Sequence, residues 1–270
     1  MSILDEIVLN KKQEVAEQKE LYPVKLLERS IYFNSQPLSL SEYILRPDLS
    51  GIIAEFKRKS PSKGVINEYA KPEQVCLQYM QAGASALSVL TDNKFFGGHQ
   101  KDLTTARKFN YCPILRKDFI VDEYQIVEAK SIGADAILLI AEILTAEELL
   151  SLAAFAKSLG LQVLFEIHSE ENISKLPADA SIVGINNRNL KNFEVSIDHS
   201  ASLLQHLPNN VVKVAESGID SAETLISLKS IGFDGFLIGE KFMRESNPGK
   251  ACGTFVNRIK ELEQHQAIIQ

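Results

Sequence analysis

From Gly51 onward, short apolar runs alternate with segments whose apolar residues recur every three or four positions. The runs Ile52–Phe56, Ala86–Leu90, Ile114–Arg116, Ala136–Ile140, Gln162–Glu166, Ile182–Asn186, Val211–Glu216 and Gly235–Ile238 read as strands. Helical periodicity fills Lys71–Ala82, Gln100–Phe109, Glu123–Ile132, Ala146–Leu159, Ile197–Leu207 and Ser221–Ile231. Strands that alternate with helices in this way predict a parallel sheet of the α/β class. Eight is the number that closes a (β/α)8 barrel. An open doubly wound sheet is the competing architecture, but no Gly-x-Gly-x-x-Gly follows any strand.

A faint repeat supports like units. Ala82-Gly83-Ala84-Ser85-Ala86, Ile132-Gly133-Ala134-Asp135-Ala136 and Ile231-Gly232-Phe233-Asp234-Gly235 each pass from a helix through glycine into an apolar strand. Ahead of the barrel, Ile3, Leu4, Ile7, Val8 and Val15 give Ser2–Lys19 helical spacing with Ser2 as N-cap, and a second short helix covers Val24–Arg29. From Asn34 to Asp48 the pattern is mixed, with Pro37 and Pro47. The expected organisation is one domain: residues 1–48 as a helical extension packed on a barrel of residues 49–270. A direct part for the extension in substrate binding is the alternative.

Composition narrows the function classes. The 270 residues are 45% hydrophobic and 24% charged, enough for a large core, and the net charge of −6 argues against nucleic acid and membrane surfaces as partners. A bound anion must then be held by a local cationic site. Cys76, Cys112 and Cys252 are an odd, scattered set without a C-x-x-C, which fits a reduced, cytoplasmic setting and gives no cue for a catalytic thiol. Charges at Asp5, Glu6, Lys11 and Lys12 exclude a signal peptide over the first fourteen residues, and no run reaches the length of a membrane span.

The chemistry should sit where the strands end, at the C-terminal rim. Strand one delivers Glu55 and Lys57, which share a side because strand side chains alternate. Strand three ends in Arg116-Lys117-Asp118-Phe119, strand five in Glu166, strand six in Asn186-Asn187-Arg188, strand seven in Glu216-Ser217-Gly218 and strand eight in Gly239-Glu240-Lys241. So many charges at one rim are costly to desolvate unless paired, so they point to a reaction centre. Bland readings stand beside this one. Glu55 and Lys57 could be a structural ion pair, Lys117 a solvated lysine, Arg188 a helix cap, and Glu216 a structural acid partnering a rim lysine. His168, in a Ser/Glu-rich loop, reads as solvent-facing. The Ser217-Gly218 and Gly239-Glu240 turns suit a phosphate, because loops after strands seven and eight bring backbone N–H groups to bear there.

These segments resemble a known family. Ala54-Glu55-Phe56-Lys57-Arg58-Lys59-Ser60-Pro61-Ser62-Lys63-Gly64 is similar to the first-strand signature of the indole-3-glycerol phosphate synthases. Leu115-Arg116-Lys117-Asp118-Phe119, Gly184-Ile185-Asn186-Asn187-Arg188-Asn189-Leu190 and Ala215-Glu216-Ser217-Gly218-Ile219 resemble later segments of the same family, over nearly the whole chain. The resemblance implies ring closure of an anionic arylamino sugar phosphate with loss of CO2 and water, in tryptophan biosynthesis, without metal or organic cofactor. It implies Lys117 as the acid for ring closure and Glu55, Lys57, Glu166 and Asn186 as the rest of the catalytic set. Ser60, Phe96, Phe119, Leu138, Arg188, Glu216 and Leu237 would contact substrate, and Ser217, Gly218, Gly239 and Glu240 would hold its phosphate. Some relatives carry Ser where this chain has Glu240; a carboxylate beside a phosphate is unfavourable unless only its backbone N–H faces the ligand. The loop from Arg58 to Gly64 is expected to move as a lid, with Gly64 as hinge. A monomer is expected, with a dimer as the alternative. A sugar-phosphate isomerase and a non-catalytic binding barrel are the competing functions.

Overall fold

Eight parallel strands close into a barrel: β1 (Ile52–Phe56), β2 (Ala86–Leu90), β3 (Ile114–Lys117), β4 (Ala136–Ile140), β5 (Gln162–Ile167), β6 (Ile182–Asn186), β7 (Val212–Glu216) and β8 (Gly235–Ile238). The computed structural model describes residues 2–188 and 197–269. Closure runs through Ile52↔Phe236 and Ile53↔Leu237 between β1 and β8, so the barrel has no edge strand and the open-sheet alternative falls. Each strand is within a residue of its expected ends. Of the helices read between them, Ile197–Leu204 falls farthest short, by three residues. The three repeat glycines stop their helices in the left-handed region, at φ +93°, +92° and +113° for Gly83, Gly133 and Gly232.

Alternation along the strands builds two cores. Ile52, Ala54, Phe56, Leu87 and Val89 face the helices, whereas Ile53, Ala86, Leu115, Leu138, Leu164, Val214 and Leu237 fill the barrel. The strands are therefore apolar on both faces, as parallel strands must be. The inner core is completed by a helix the sequence pattern did not predict. The mixed segment between Pro37 and Pro47 contains the helix Leu40–Leu45, whose N-cap Ser39 accepts the Glu42 N–H at 3.2 Å. Leu40 and Ile44 are buried and belong to the inner cluster. They stopper the end of the barrel where the strands begin, since a Cβ at Gly235 would stand 3.0 Å from Ile44. Burying each is worth about 1.5–3 kcal/mol.

The first helix, α1 (Ile3–Leu21), starts as expected at Ser2, with Asp5 completing a capping box. Its buried stripe is Ile7, Lys11 and Val15, a cation between two aliphatics at i, i+4 and i+8. Tyr124 donates to the carbonyls of Gln18 and Tyr22, and Lys130 to that of Ser35, which ties the extension to the helix Glu123–Ile132. A C-terminal helix, Pro248–Ile269, also absent from the sequence reading, packs against the helices Pro72–Gln81 and Ala222–Ser230. No helix among the described residues is long and apolar enough to cross a membrane.

Candidate active site

The strand C-termini open into one cavity of about 460 Å³, and all sixteen residues singled out in the sequence line it. Inward alternation from the core residues explains the acids and Lys117: Ile53 is followed by Glu55, Leu115 by Lys117, Leu164 by Glu166 and Val214 by Glu216. Asn186 follows Gly184 on β6 in the same way.

Lys117 stands at the centre. Its Nζ donates to Glu166 Oε2 at 3.1 Å and to Glu216 Oε2. Burial alone would strip its proton, but Glu216, Glu166 and Glu55 reverse that and raise its pKa, so it stays an ammonium. One lysine cannot neutralise two buried carboxylates equally. Burial also disfavours the Glu166 anion, yet Lys117, His168 and Asn186 overcome it and hold this carboxyl below the usual range. Glu216 goes the other way: burial and the neighbouring Glu166 charge outweigh Lys117 and push it up to about 7. Its Oε1 has no hydrogen-bond partner among the described residues. Across the cavity, Lys57 Nζ donates to the buried Glu55 at 2.6 Å.

Two glycines make room for these acids. A Cβ at Gly184 would overlap Glu216 Oε1, and one at Gly239 would stand 2.9 Å from the Glu55 Cβ. Gly239 thus has a steric duty to Glu55 beside the phosphate duty the sequence suggested.

His168 is not solvent-facing. Its side chain is 11% exposed, and Nε2 lies 2.9 Å from Glu166 Oε1, the oxygen that also accepts from Asn186 Nδ2 at 3.2 Å. The loop composition misled. Residues 166 and 168 are an i, i+2 pair at the end of a strand, so the alternation that turns Glu166 inward turns His168 the same way.

The apolar wall is held by charges the sequence did not flag. Phe96 and Phe119 face each other with ring centroids 5.8 Å apart. Asp92 Oδ1 accepts the N–H groups of Phe95 and Phe96, and Asp118 Oδ1 accepts that of Phe119. Lys11 of α1, itself 1% exposed, lies 3.0 Å from both aspartates. Burial would raise the Asp118 pKa, but Lys11 and Arg116 bring it down to about 2. Ile3, Leu4 and Ile7 of α1 also line the cavity, so the extension does more than pack on the barrel. The signal was present as a lysine inside the apolar stripe of a helix.

The loop after β1 folds as a short hairpin. Lys59–Ser60 pair antiparallel with Gly64–Val65, so Gly64, at φ +69°, is a ladder residue opposite Ser60. Arg58 anchors the base with a two-pronged contact to Asp102 and lies 4.8 Å from the Phe56 ring. At the phosphate turns, Ser217 at φ +68° and Gly218 at φ +73° are successive left-handed residues. For serine this is strained, and such strain gathers at ligand clamps. Asn187 Nδ2 holds the turn through the Ser217 carbonyl at 2.7 Å. Arg188 lies 3.6 Å from Glu240, which also meets Lys63 of the hairpin at 3.7 Å. Asn189 and Leu190 of the sixth-strand motif lie outside the described residues.

The three cysteines are buried and free, and burial pushes Cys112 and Cys252 up to about 12, which leaves them inert as nucleophiles. Among the described residues no group of three or more His, Cys, Asp or Glu could hold a metal ion.

The family model described as indole-3-glycerol phosphate synthase matches residues 4–255. The indole-3-glycerol phosphate synthase of Bacteroides thetaiotaomicron is 49% identical over 259 residues, 96% of this chain and 99% of its own. The synonymous protein of Campylobacter jejuni is 44% identical over 252 residues, 92% of this chain and 98% of its own. Among solved structures, a tryptophan synthase subunit alpha from Legionella pneumophila superposes with a TM-score of 0.60 at 14% identity. It covers 83% of this chain and 98% of its own, a likeness of fold alone.

Proposed function

Because the chain belongs to the indole-3-glycerol phosphate synthase family, we propose that it closes 1-(2-carboxyphenylamino)-1-deoxyribulose 5-phosphate to indole-3-glycerol phosphate. CO2 and water are lost, and the activity is that of a carbon–carbon lyase in tryptophan biosynthesis. The observation that carries the reading is Lys117 Nζ held between Glu166 and Glu216, in one cavity with the Glu55–Lys57 pair and the Phe96–Phe119 wall.

In this reading the aryl ring lies against Phe96, Phe119, Leu138 and Leu237. The phosphate takes the N–H groups of the Ser217-Gly218 turn and of Gly239-Glu240, with Arg188 and Ser60 at its flank. The ring carbon attacks the C2′ carbonyl, a carbon–carbon bond forms, and the oxygen takes a proton from Lys117. An ammonium fixed by two carboxylates is preorganised for the charge that develops there. The substrate carboxyl then leaves as CO2, and its bonding electrons restore the aromatic ring. In the last step Lys57, oriented by Glu55, protonates the departing hydroxyl. Glu166 takes the proton from the adjacent carbon, and Asn186 steadies Glu166 throughout.

Residues 1–48 and 49–270 act in this reading as one catalytic unit, a monomer in the cytoplasm. Incubation with the carboxyphenylamino substrate should release CO2 and generate indole fluorescence; conversion without CO2 release would place the protein with the isomerases instead. Light scattering of the purified chain decides between monomer and dimer.

A further inference from the structure

Glu166 is unusual among the rim acids in how fully it is occupied. Oε2 accepts from Lys117, and Oε1 accepts from Asn186 and faces His168 Nε2. The histidine is fixed from behind: its backbone N–H donates to Asn172 Oδ1 at 2.9 Å, and Asn172 Nδ2 reaches Glu142 at 3.3 Å. Among the described residues, Glu166 lines the cavity and His168 stands behind it, 2.9 Å from its Oε1.

We propose that His168 is a positioning residue whose ring holds the Glu166 carboxylate in place and whose charge sets how strong a base that carboxylate is. The proposal rests on the reading of Glu166 as a proton acceptor. A neutral imidazole with its hydrogen on Nε2 donates one bond to Oε1 and adds no charge. A protonated ring donates the same bond and adds a second cation beside Lys117, which weakens Glu166 as a base. The acids that act on the ring are Glu166 on its own strand, Glu216 from β7 and Glu142 from the loop after β4, and Lys117 lies beyond Glu166. Burial disfavours the imidazolium, but these acids outweigh it and raise the pKa above the usual value. The switch from weaker to stronger base therefore falls above the usual histidine value.

The test uses the full chain and the carboxyphenylamino substrate from about pH 5.5 to about pH 9. His168→Gln places an amide N–H near the Nε2 position without a titratable group, and His168→Ala removes the contact. His168→Gln should keep kcat within about three-fold of wild type above neutrality and lose the acid limb of the kcat profile. His168→Ala should lose roughly ten- to a hundred-fold in kcat with KM within about two-fold. His168→Ala at wild-type kcat across the range, or His168→Gln with the acid limb intact, overturns the proposal. A second readout does not need turnover: the ring nitrogen shifts of His168, followed by NMR against pH, should show a lower pKa in Glu166→Gln than in wild type. An unchanged titration there overturns the contact as an electrostatic one. If wild type itself fails to turn over substrate, the proposed activity fails, and the NMR result still decides the contact.

Discussion

Gly184 lies directly beneath the Glu216 carboxylate, so that a single methyl group on β6 would collide with an acid on β7. The pair explains why the sixth strand carries glycine at an inward position otherwise suited to a branched aliphatic. It also yields a specific outcome. Gly184→Ala should push Glu216 off Lys117 and lower kcat by roughly ten-fold or more while costing about 1–3 kcal/mol of stability. Steady-state kinetics beside urea denaturation checks this, and wild-type kcat would show that the carboxylate has room to yield.

Lys117→Ala should lower kcat by on the order of a thousand-fold with the circular dichroism spectrum retained, since it removes the acid and the partner of two buried carboxylates at once. Near-full activity in that variant would take Lys117 out of the acid role.

Glu216 supplies a pH prediction. Its folded pKa, about 7, lies above the unfolded carboxylate value, so the native state holds this proton more tightly than the unfolded chain. The stability tied to it is fully present below about pH 4.5 and is lost as pH rises through about 7. Relative to Glu216→Gln, wild type should therefore lose on the order of 3 kcal/mol across that window in denaturant titrations. A difference independent of pH would contradict the assignment.

Lys11→Met should be severe for a residue outside the cavity. It leaves Asp92 and Asp118 buried without their shared cation, a change worth about 3–5 kcal/mol. Asp92→Asn in the same chain should recover part of the loss, because the amide oxygen can still accept the Phe95 and Phe96 N–H groups. A loss below about 1 kcal/mol in the single variant would mean that Lys11 is not needed to hold the two aspartates in place.

Glu240→Ser removes a carboxylate that now occupies Arg188 and Lys63. These pairs are half-exposed and long, so the gain should be small: a two- to five-fold tighter Kd for inorganic phosphate, read by calorimetry. Weaker phosphate binding would make the Glu240 side chain a contributor.

Strands and rim acids were legible because a buried parallel strand is a short apolar run, and a charge at its end is conspicuous. Leu40–Leu45 was not, because six residues between two prolines carry too few turns to show a period. His168 was misplaced because loop composition outweighed strand alternation in the reading. The Lys11 clamp escaped for a different reason: its partners, Asp92 and Asp118, belong to two other elements, and no local pattern joins them. What the sequence hid was the pairing of charges across elements, which depends on the closed barrel.

The clamp also bears on how the chain assembles during synthesis. Lys19 and its partner Asp122 are 103 residues apart, and Lys11 spans a similar separation to Asp118. The first helix thus leaves the ribosome well before the strands that will receive it, its apolar stripe exposed in the interval. Contacts of such long sequence separation form late. The aromatic slot should therefore take shape after the local strand–helix units that it joins.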